Sequence, residues 1–573
     1  MGDLKRELAM PRLLECVPNF SEGRDRAVID AITDAIARVE GVKLLDVDPG
    51  ATTNRTVVTF VGEPEAVIEG AFAGIAKSAA LIDMRTHHGA HPRMGATDVC
   101  PLVPVSGVTM EEAVALARQL AQRVGDDLGI PVYLYEAAAT QPERKNLATI
   151  RAGEYEGLAE KLRDPAWVPD FGPAAFNARS GATVIGARDF LVAYNVNLNT
   201  TSTRRANAVA YDVRERGRLK REGDPLTGEI VRDENGDAVW VPGSLQGVKA
   251  IGWYIEEYGI CQVSMNLTDL AATPLHVAFE EVSERARARG MRATGSEIVG
   301  MVPLWVLREA GEYFLRKQQR SLGIPTSEVL KIAVRSLGLD ELAPFDLQHR
   351  VIEAAMAGEA KPRFVDKTVA AFADSVASES PTPGGGTVAA VVGALAAALG
   401  TMVANGSAHK RGWDARWEEF SVWAVRGRAI LEELEGLADA DSGAFDALMA
   451  AFGLPKETEE ERAARQAAIE AATQGAVAVP LRTMRAALAS MDVLRAMAET
   501  GNPNAASDAG VGALCARAAV RGAYLNVQTN VGGLQDRDFA ERALAEGAEI
   551  AARAEVLEAE VLARAREVFA GRR

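Results

Sequence analysis

Cysteine is scarce in this chain. The four present, Cys16, Cys100, Cys261 and Cys515, lie far apart and in no CxxC pair. That pattern argues against a disulfide framework or a thiolate metal site and fits a reducing, cytoplasmic setting. Positive charge is also in deficit: 63 Lys and Arg face 79 Asp and Glu, a net charge of −16. A general nucleic-acid binder is therefore not expected, and an anionic substrate needs a local basic site. Long hydrophobic runs are missing too. The Ala/Val-rich stretch at 388–399 is too short, and too closely flanked by glycine, for a membrane span. The opening MGDLKRELAMPRLLECV lacks the apolar core of a signal peptide. Met10 is a second candidate start, which makes the first ten residues a flexible extension.

What remains is an ordinary soluble composition, 48% hydrophobic and 25% charged. At 573 residues the chain exceeds one core, so about two to four domains are expected. Its two halves differ. Up to about residue 302, strand and helix patterns alternate: strand 13–17, helix 25–39, strands 42–47 and 56–61, helix 65–79, strand 99–105, helix 110–124 and strand 132–135. The turn-prone DPGATTN joins the second and third strands. The order then repeats with strand 190–196, helix 203–214, strands 250–255 and 261–267, helix 275–288 and strand 297–302. Two successive βαββαβ patterns predict two ferredoxin-like α+β subdomains, each with helices on one face of a sheet. A Pro/Gly-bearing connector at 165–181 separates them. Residues 219–243 read as an insertion with a hairpin turn at Asn235-Gly236.

Helices at 304–316 and 327–336 lead to a joining segment. From there strand signals almost vanish and alanine dominates. Helices at 387–404, 413–440, 457–488, 506–527 and 538–568 predict an all-α bundle, with Pro480 kinking or splitting the third. The expected domains are 11–181 and 182–343 for the two subdomains, a linker at 344–363 and a helical domain at 364–573. Small-residue helix faces and long helices suit a bundle that self-associates.

Chemistry concentrates in RTHHGAHPRMGATDVCP, residues 85–101, with His87, His88 and His91, half of the six histidines. A His/Arg/Gly loop suits a general base beside an anion clamp, because an imidazole titrates near neutrality. Spacing alone leaves a solvated surface loop equally open. Zinc is disfavoured, since no paired cysteines or HExxH accompany the histidines. In the helical half SPTPGGGTVAA, from Ser380, is a Gly-rich loop opening a helix, where backbone amides favour an anion. It is neither a Walker A loop nor a GxGxxG after a strand, and a hinge capped by Thr387 is the plainer reading. DADSGAF, from Asp439, sets two carboxylates two residues apart on a helix, so only one should point inward. A solvated helix face is its plainer reading. Asn502, Asn504, Ser507 and Asp508 read as helix capping.

Taken together, LLECVPNFSEG, LLDVD with TNRTVVTFVG, HPRMGATDVCP, PVYLYEAA, IRAGEYEGL and PDFGP, followed by PTPGGGTVAA, DADSGAF, GNPNAASD and AYLNV, make the chain resemble the formimidoyltransferase-cyclodeaminase family over about residues 11–570. The resemblance implies a bifunctional folate enzyme of histidine breakdown. It would move the formimino group of formiminoglutamate to tetrahydrofolate, then close the product to 5,10-methenyltetrahydrofolate with release of ammonia. The alternatives are a monofunctional transferase with a helical assembly domain, or a folate-binding protein without turnover.

By the same resemblance His91 is the transferase base, Asp48 its acidic partner and Asp441 the deaminase aspartate. Gly172, Pro173, Phe176 and Gly181 lie where the family holds folate. Backbone groups of Gly384, Gly385 and Gly386 are assigned to the folate of the second reaction. Charge adds Arg93 and Arg55, with Asn54 beside them, as substrate-binding candidates. The co-substrate implied is tetrahydrofolate, polyglutamylated, with no metal. Formiminoglutamate and further copies of the chain are the implied partners, with neither nucleic acid nor membrane. Departures from the family pattern are the length of the 219–243 insertion and the stretch NGSAHKRGWD, which leaves His409 and Lys410 without a role.

Overall fold

The computed structural model describes residues 12–51, 53–89, 92–223, 227–357 and 363–570. The first eleven residues, Thr52, Ala90 and His91, residues 224–226 of the insertion, 358–362 of the joining segment and 571–573 lie outside these. The described chain forms two compact units, residues 12–306 with 337–357, and residues 307–336 with 363–570.

The first unit opens with a sheet of seven strands: β1 (Leu13–Cys16), β2 (Asn19–Phe20), β3 (Val42–Gly50), β4 (Arg55–Gly62), β5 (Thr97–Ser106), β6 (Val132–Glu136) and β7 (Thr183–Ala187). β1 and β2 are one strand broken at Val17-Pro18, where proline has no N–H to give to the ladder. Both lie between β4 and β5, and β3 pairs with β4, all antiparallel. The order β3–β4–β1/β2–β5 is the expected ferredoxin-like sheet. Helices α1 (Arg26–Ala37), α2 (Pro64–Leu81) and α3 (Met110–Leu128) bury their apolar stripes on one face, around Phe20, Ile36, Phe60, Ile75, Leu102 and Leu120. Asp25 caps α1, and a Thr109/Glu112 capping box starts α3.

Three elements here were not foreseen. β7 lies in this first sheet, parallel to both β5 and β6. A domain boundary at 181/182 therefore falls just before a strand of the first subdomain. The helices α4 (Leu147–Arg151) and α5 (Glu154–Lys161) cover part of the opposite face, over Tyr133, Tyr135, Val99 and Val184.

The second subdomain repeats the plan. β8 (Val192–Leu198), α6 (Thr203–Val213), the two-residue ribbon strands β9 (Arg218–Leu219) and β10 (Trp240–Val241), β11 (Val248–Ile255), β12 (Ile260–Leu267), α7 (Leu275–Ala288) and β13 (Ala293–Val299) follow one another. The sheet order is β11–β12–β8–β13, again ferredoxin-like. The insertion turns where expected, with Gly236 at φ 85°.

Contacts divide the chain differently from the sequence pattern at two places. Residues 307–336, from helices α8 (Leu304–Lys317) and α9 (Thr326–Leu337), pack with the helical unit. Their connecting loop is bound there. Ser321 donates to Asn405 Oδ1 (2.6 Å), and Ser421 Oγ accepts from Leu322 N–H (3.0 Å). Gly323 lies so close to Ala424 that a Cβ would collide. The expected linker, in turn, holds α10 (Leu347–Arg350) and α11 (Ile352–Ala357) in the first unit. Ile352 N–H donates to Val302 O (3.1 Å), and Lys43 Nζ of β3 donates to Ala355 O (3.1 Å).

The helical unit continues with α12 (Val369–Val376), α13 (Gly385–Ala408), α14 (Trp417–Phe452), α15 (Glu459–Thr500), α16 (Ala506–Asn530) and α17 (Arg537–Ala570). α13 packs against α14, α15 and α16. Its glycines permit that: Gly393 abuts Leu434 and Ala519, and Gly400 abuts Val493 and Leu494. At 24 residues α13 is longer than its apolar run suggested, so length does not set it apart from a membrane span. Most of it is buried inside the unit instead.

Pro480 does not split α15, which runs unbroken through it. Proline leaves the carbonyl four residues earlier without its helical donor. That carbonyl, on buried Ala476, accepts from Asn530 Nδ2 of α16 at 2.7 Å. Asn530→Ala should therefore lower unfolding stability by about 1–3 kcal/mol in urea titration. The loss should shrink in a Pro480→Ala background, where residue 480 supplies its own N–H. Equal losses in both backgrounds would contradict this account.

Candidate active sites

In the first unit the site grows from the turn between β3 and β4. Gly50 pairs with Arg55 across it, and Asn54 takes left-handed backbone at φ 50°. The Asn54 side chain works in both directions: Oδ1 accepts from Gly23 N–H (3.0 Å) and Nδ2 donates to His88 O (3.0 Å). Gly23 admits no side chain, because a Cβ would strike Gly50 O and Arg55 N. Gly89 is equally confined, against Thr53 O.

His87 is buried and has neither ring nitrogen to spare. Arg93 Nε can only donate, so His87 Nδ1 accepts (3.3 Å) and its proton sits on Nε2, which donates to Asn54 O (3.0 Å). Burial, with Arg93 nearby, pushes the His87 pKa down, although its bond to Asn54 opposes the shift. His87 is thus a neutral structural histidine. His88 is exposed and lines a cavity of about 450 Å³ with Gly89, Arg93, Gly153, Glu154 and Glu156. His91, selected by resemblance, lies outside the described residues.

Arg93 is corrected from a substrate clamp. All five of its N–H groups are met within the protein. Nε goes to His87 Nδ1, Nη1 to Glu154 (3.0 Å) and Glu156 (2.9 Å), and Nη2 to His87 O (3.3 Å) and Glu156 (2.7 Å). It binds the loop together and has no donor left for a ligand.

Sequence reading passed over Asp98, which is fully buried. It is the extra residue in a bulge of β5 opposite β2, the kind of irregularity that re-aims a side chain. Its carboxylate accepts from Met94 N–H (3.0 Å) and pairs with Arg151 at the end of α4. Arg55 feels Asp98, Arg151 and Asp48, and partial burial lowers its pKa. Register places exposed Asp48 on the same sheet face as Arg55, since Asp48 opposes Val57 and Gly50 opposes Arg55.

The predicted folate segment is a loop pinned at both ends. Gly172, at φ 76°, sits against Gly125 of α3, and Gly181, at φ 70°, against Met94 O and Gly95. Between them Pro173 and Phe176 are exposed. Phe176 tilts on Tyr155 with ring centroids 5.4 Å apart, and Tyr155 N–H donates to Arg93 O (2.9 Å). The loop therefore reaches the rim of the cavity.

In the helical unit the two carboxylates of DADSGAF take separate work. Asp439 Oδ1 accepts from Phe364 N–H (3.0 Å), while its buried Oδ2 has no hydrogen-bond partner among the described residues. Asp441 faces the N-terminus of α13, where Thr387 Oγ1 donates to Oδ2 (3.0 Å) and Thr387 N–H adds a second bond. Burial raises the Asp441 pKa and those bonds only partly offset it, which makes a proton there easier to hold. Gly386 closes on the carboxylate, and a Cβ would overlap it. Ser442 Oγ lies 3.3 Å from Thr387 Oγ1. Gly384 precedes the helix as its N-cap, and Gly385 faces Asn526. Sequence reading gave Thr387 only a capping role and passed over Ser442. The position of Thr387 directly after PGGG was the available signal.

Residues 13–188 match the family model for the formiminotransferase domain, N-terminal subdomain; 193–357 match that for the formiminotransferase domain; and 368–549 match that for formiminotransferase-cyclodeaminase. Together the three matches define a bifunctional class of enzymes, a transferase joined to a cyclodeaminase. A formimidoyltransferase-cyclodeaminase of Gallus gallus is 44% identical over 531 residues, 92% of this chain and 94% of its own. A glutamate formimidoyltransferase of Thermoplasma acidophilum is 44% identical over 306 residues, 53% of this chain and 92% of its own. A methenyltetrahydrofolate cyclohydrolase of Methylorubrum extorquens is 43% identical over 181 residues, 32% of this chain and 87% of its own. The chain belongs to the formimidoyltransferase-cyclodeaminase family.

Two outcomes follow. A histidine whose folded pKa is depressed contributes stability that is present above its unfolded value, near 6.5, and lost as pH falls through the folded value. The stability difference between the wild type and His87→Gln should be constant above that pH and shrink below it in pH-stepped denaturation. A flat difference would show that His87 is not held neutral. Separately, Gly386→Ala should cut ammonia release about 100-fold by displacing Asp441, without altering glutamate release.

Proposed function

We infer that the chain catalyses two consecutive steps on tetrahydrofolate. The observation that carries this is near-full-length kinship, with both halves in one chain, each holding a confined polar centre. In the first step N5 of tetrahydrofolate attacks the formimino carbon of formiminoglutamate. His91 takes the N5 proton and returns it to the departing amine of glutamate. Such acid–base help contributes roughly 10²–10⁴-fold. Asp48 orients the imidazole or holds a cationic nitrogen. Arg55, with Asn54 shaping its turn, meets a substrate carboxylate. The loop of Gly172, Pro173, Phe176 and Gly181 holds folate. Its aromatic contact with Tyr155 at the cavity rim supports that role.

In the second step N10 closes onto the formimino carbon and the nitrogen leaves as ammonia. Asp441 shuttles the proton that makes it a good leaving group, and its raised pKa supports this. Backbone amides of Gly384, Gly385 and Gly386 at the start of α13 face anionic parts of the folate. A polyglutamylated tail would keep the intermediate at high effective concentration between the sites.

The helical unit also carries the self-association. Gly522 lies by Ala389 and Gly512 by Ala396, so α13 and α16 run antiparallel. Leu395, Met402, Val511, Leu514 and Leu525 are left exposed on these two helices, which supports burial against another copy. We place the enzyme in a reducing, cytoplasmic setting. The four free cysteines support this, Cys16 and Cys100 staying unbridged with sulfurs 3.4 Å apart.

A two-signal assay tests the reading. With formiminoglutamate and tetrahydrofolate, methenyltetrahydrofolate absorbance and ammonia should rise together. His91→Ala should abolish glutamate release, and Asp441→Asn should strand 5-formiminotetrahydrofolate while glutamate is still released. Glutamate release without either signal in the wild type would reduce the helical unit to a scaffold.

A further inference from the structure

Four non-glycine residues among those described have left-handed backbone, and two of them, Asn54 (φ 50°) and Glu154 (φ 53°), meet at the first site. Side chains disfavour this conformation, and it persists only where the surroundings hold it. Here one hydrogen-bonded chain holds both. It runs from Glu156 and Glu154 to the Arg93 guanidinium, from Arg93 Nε to His87 Nδ1, and from His87 Nε2 to Asn54 O. From the Asn54 side chain it continues to Gly23 N–H and His88 O.

The outer end of this chain is unusual. The Glu156 side chain is 62% exposed, while that of Arg93 is 7% exposed. Exposed single ion pairs contribute little. Glu156 instead places each oxygen on a different guanidinium nitrogen, at 2.7 and 2.9 Å, and a two-point contact fixes orientation as well as position. Without it Arg93 could turn into the cavity that it lines. The Nε–H that sets the His87 tautomer would turn with it.

We propose that Glu156, with Glu154 beside it, is a positioning residue for formimidoyl transfer: by locking Arg93 it fixes His87 and residues 87–89 at the edge of the cavity, without touching substrate. The inference rests on the transferase reading. The competing role, in which Glu156 gives up Arg93 to a substrate carboxylate, makes the opposite kinetic prediction.

The test is Glu156→Gln in the full chain, with glutamate release followed under steady-state conditions. Glutamine keeps the size but loses the charge and the two-oxygen grip. The kcat for transfer should fall about 10–100-fold, the cost of a misplacement of about 1 Å. The KM for formiminoglutamate should stay within about threefold, because no binding contact is lost. Ammonia release from supplied 5-formiminotetrahydrofolate, and the melting temperature, should match the wild type. Glu156→Asp should recover some of the lost kcat.

An unchanged kcat overturns the proposal. So does a raised KM at full kcat, which would make Glu156 a substrate contact, or a lowered KM, which would make it a competitor for Arg93. Glu154→Gln, read the same way, keeps the test open if the first variant does not fold. A wild type that releases no glutamate would defeat the transferase reading instead of this inference, so the two failures are separable.

Discussion

A buried guanidinium must have its N–H groups met, and at Arg93 that requirement organises the first site. Its five donors reach a ring nitrogen, a main-chain carbonyl and two carboxylates. They thereby tie the start of α5 and the residues around 87 into one body. The β3–β4 turn joins through His87 and Asn54. Asp98 and Arg151 act in parallel two strands away, holding the Met94 amide from beneath. The segment from Met84 to Asp98 is therefore flanked by two ion pairs, each with a buried member.

The helical unit solves a different problem. Its centre is a carboxylate in an alanine-rich interior, a costly placement unless donors face it. The Thr387 hydroxyl and amide supply them, because α13 begins at that point, and Gly386 makes room for the approach. The same economy of side chain along α13 lets three helices close around it. One feature of composition, small residues on one helix, thus serves both packing and the site.

Much of this was legible beforehand because periodicity reports burial. The doubled βαββαβ order and the long helices stood out as amphipathic or apolar patterns. β7 did not: its five residues are buried on both faces, so TVIGA shows no alternation, and it follows a connector rich in proline and glycine. Helices α4 and α5 are too short for a stripe to show. The packing of residues 307–336 on the helical unit was hidden because the hydrogen bonds that bind their loop join positions about a hundred residues apart. At the first cavity, residue types pointed to the 85–101 loop, but charge alone did not show how Arg93 is held. Sequence shows a cation and cannot show that Glu154 and Glu156, sixty residues on, already occupy it. Asp98 stayed hidden for a related reason, since its role depends on a bulge that only pairing with β2 creates. The choice among His87, His88 and His91 was open to spacing and closed to His87 once both ring nitrogens had partners.

The segment between Gly172 and Gly181 behaves as a strap riveted at both ends. Its rivets are backbone pressed on backbone, where no side chain fits, so its end points cannot drift. Residues 173–176 between them are exposed, with Phe176 resting on Tyr155, while Asn177, Ala178, Arg179 and Ser180 are bonded back to the unit. Chain statistics make such a span easy to lengthen: doubling a flexible loop costs only about 0.6 kcal/mol in closure entropy. The reach of the strap is therefore a dimension along which a lineage can drift while the backbone beside the second rivet, at Met94 and Gly95, keeps its shape.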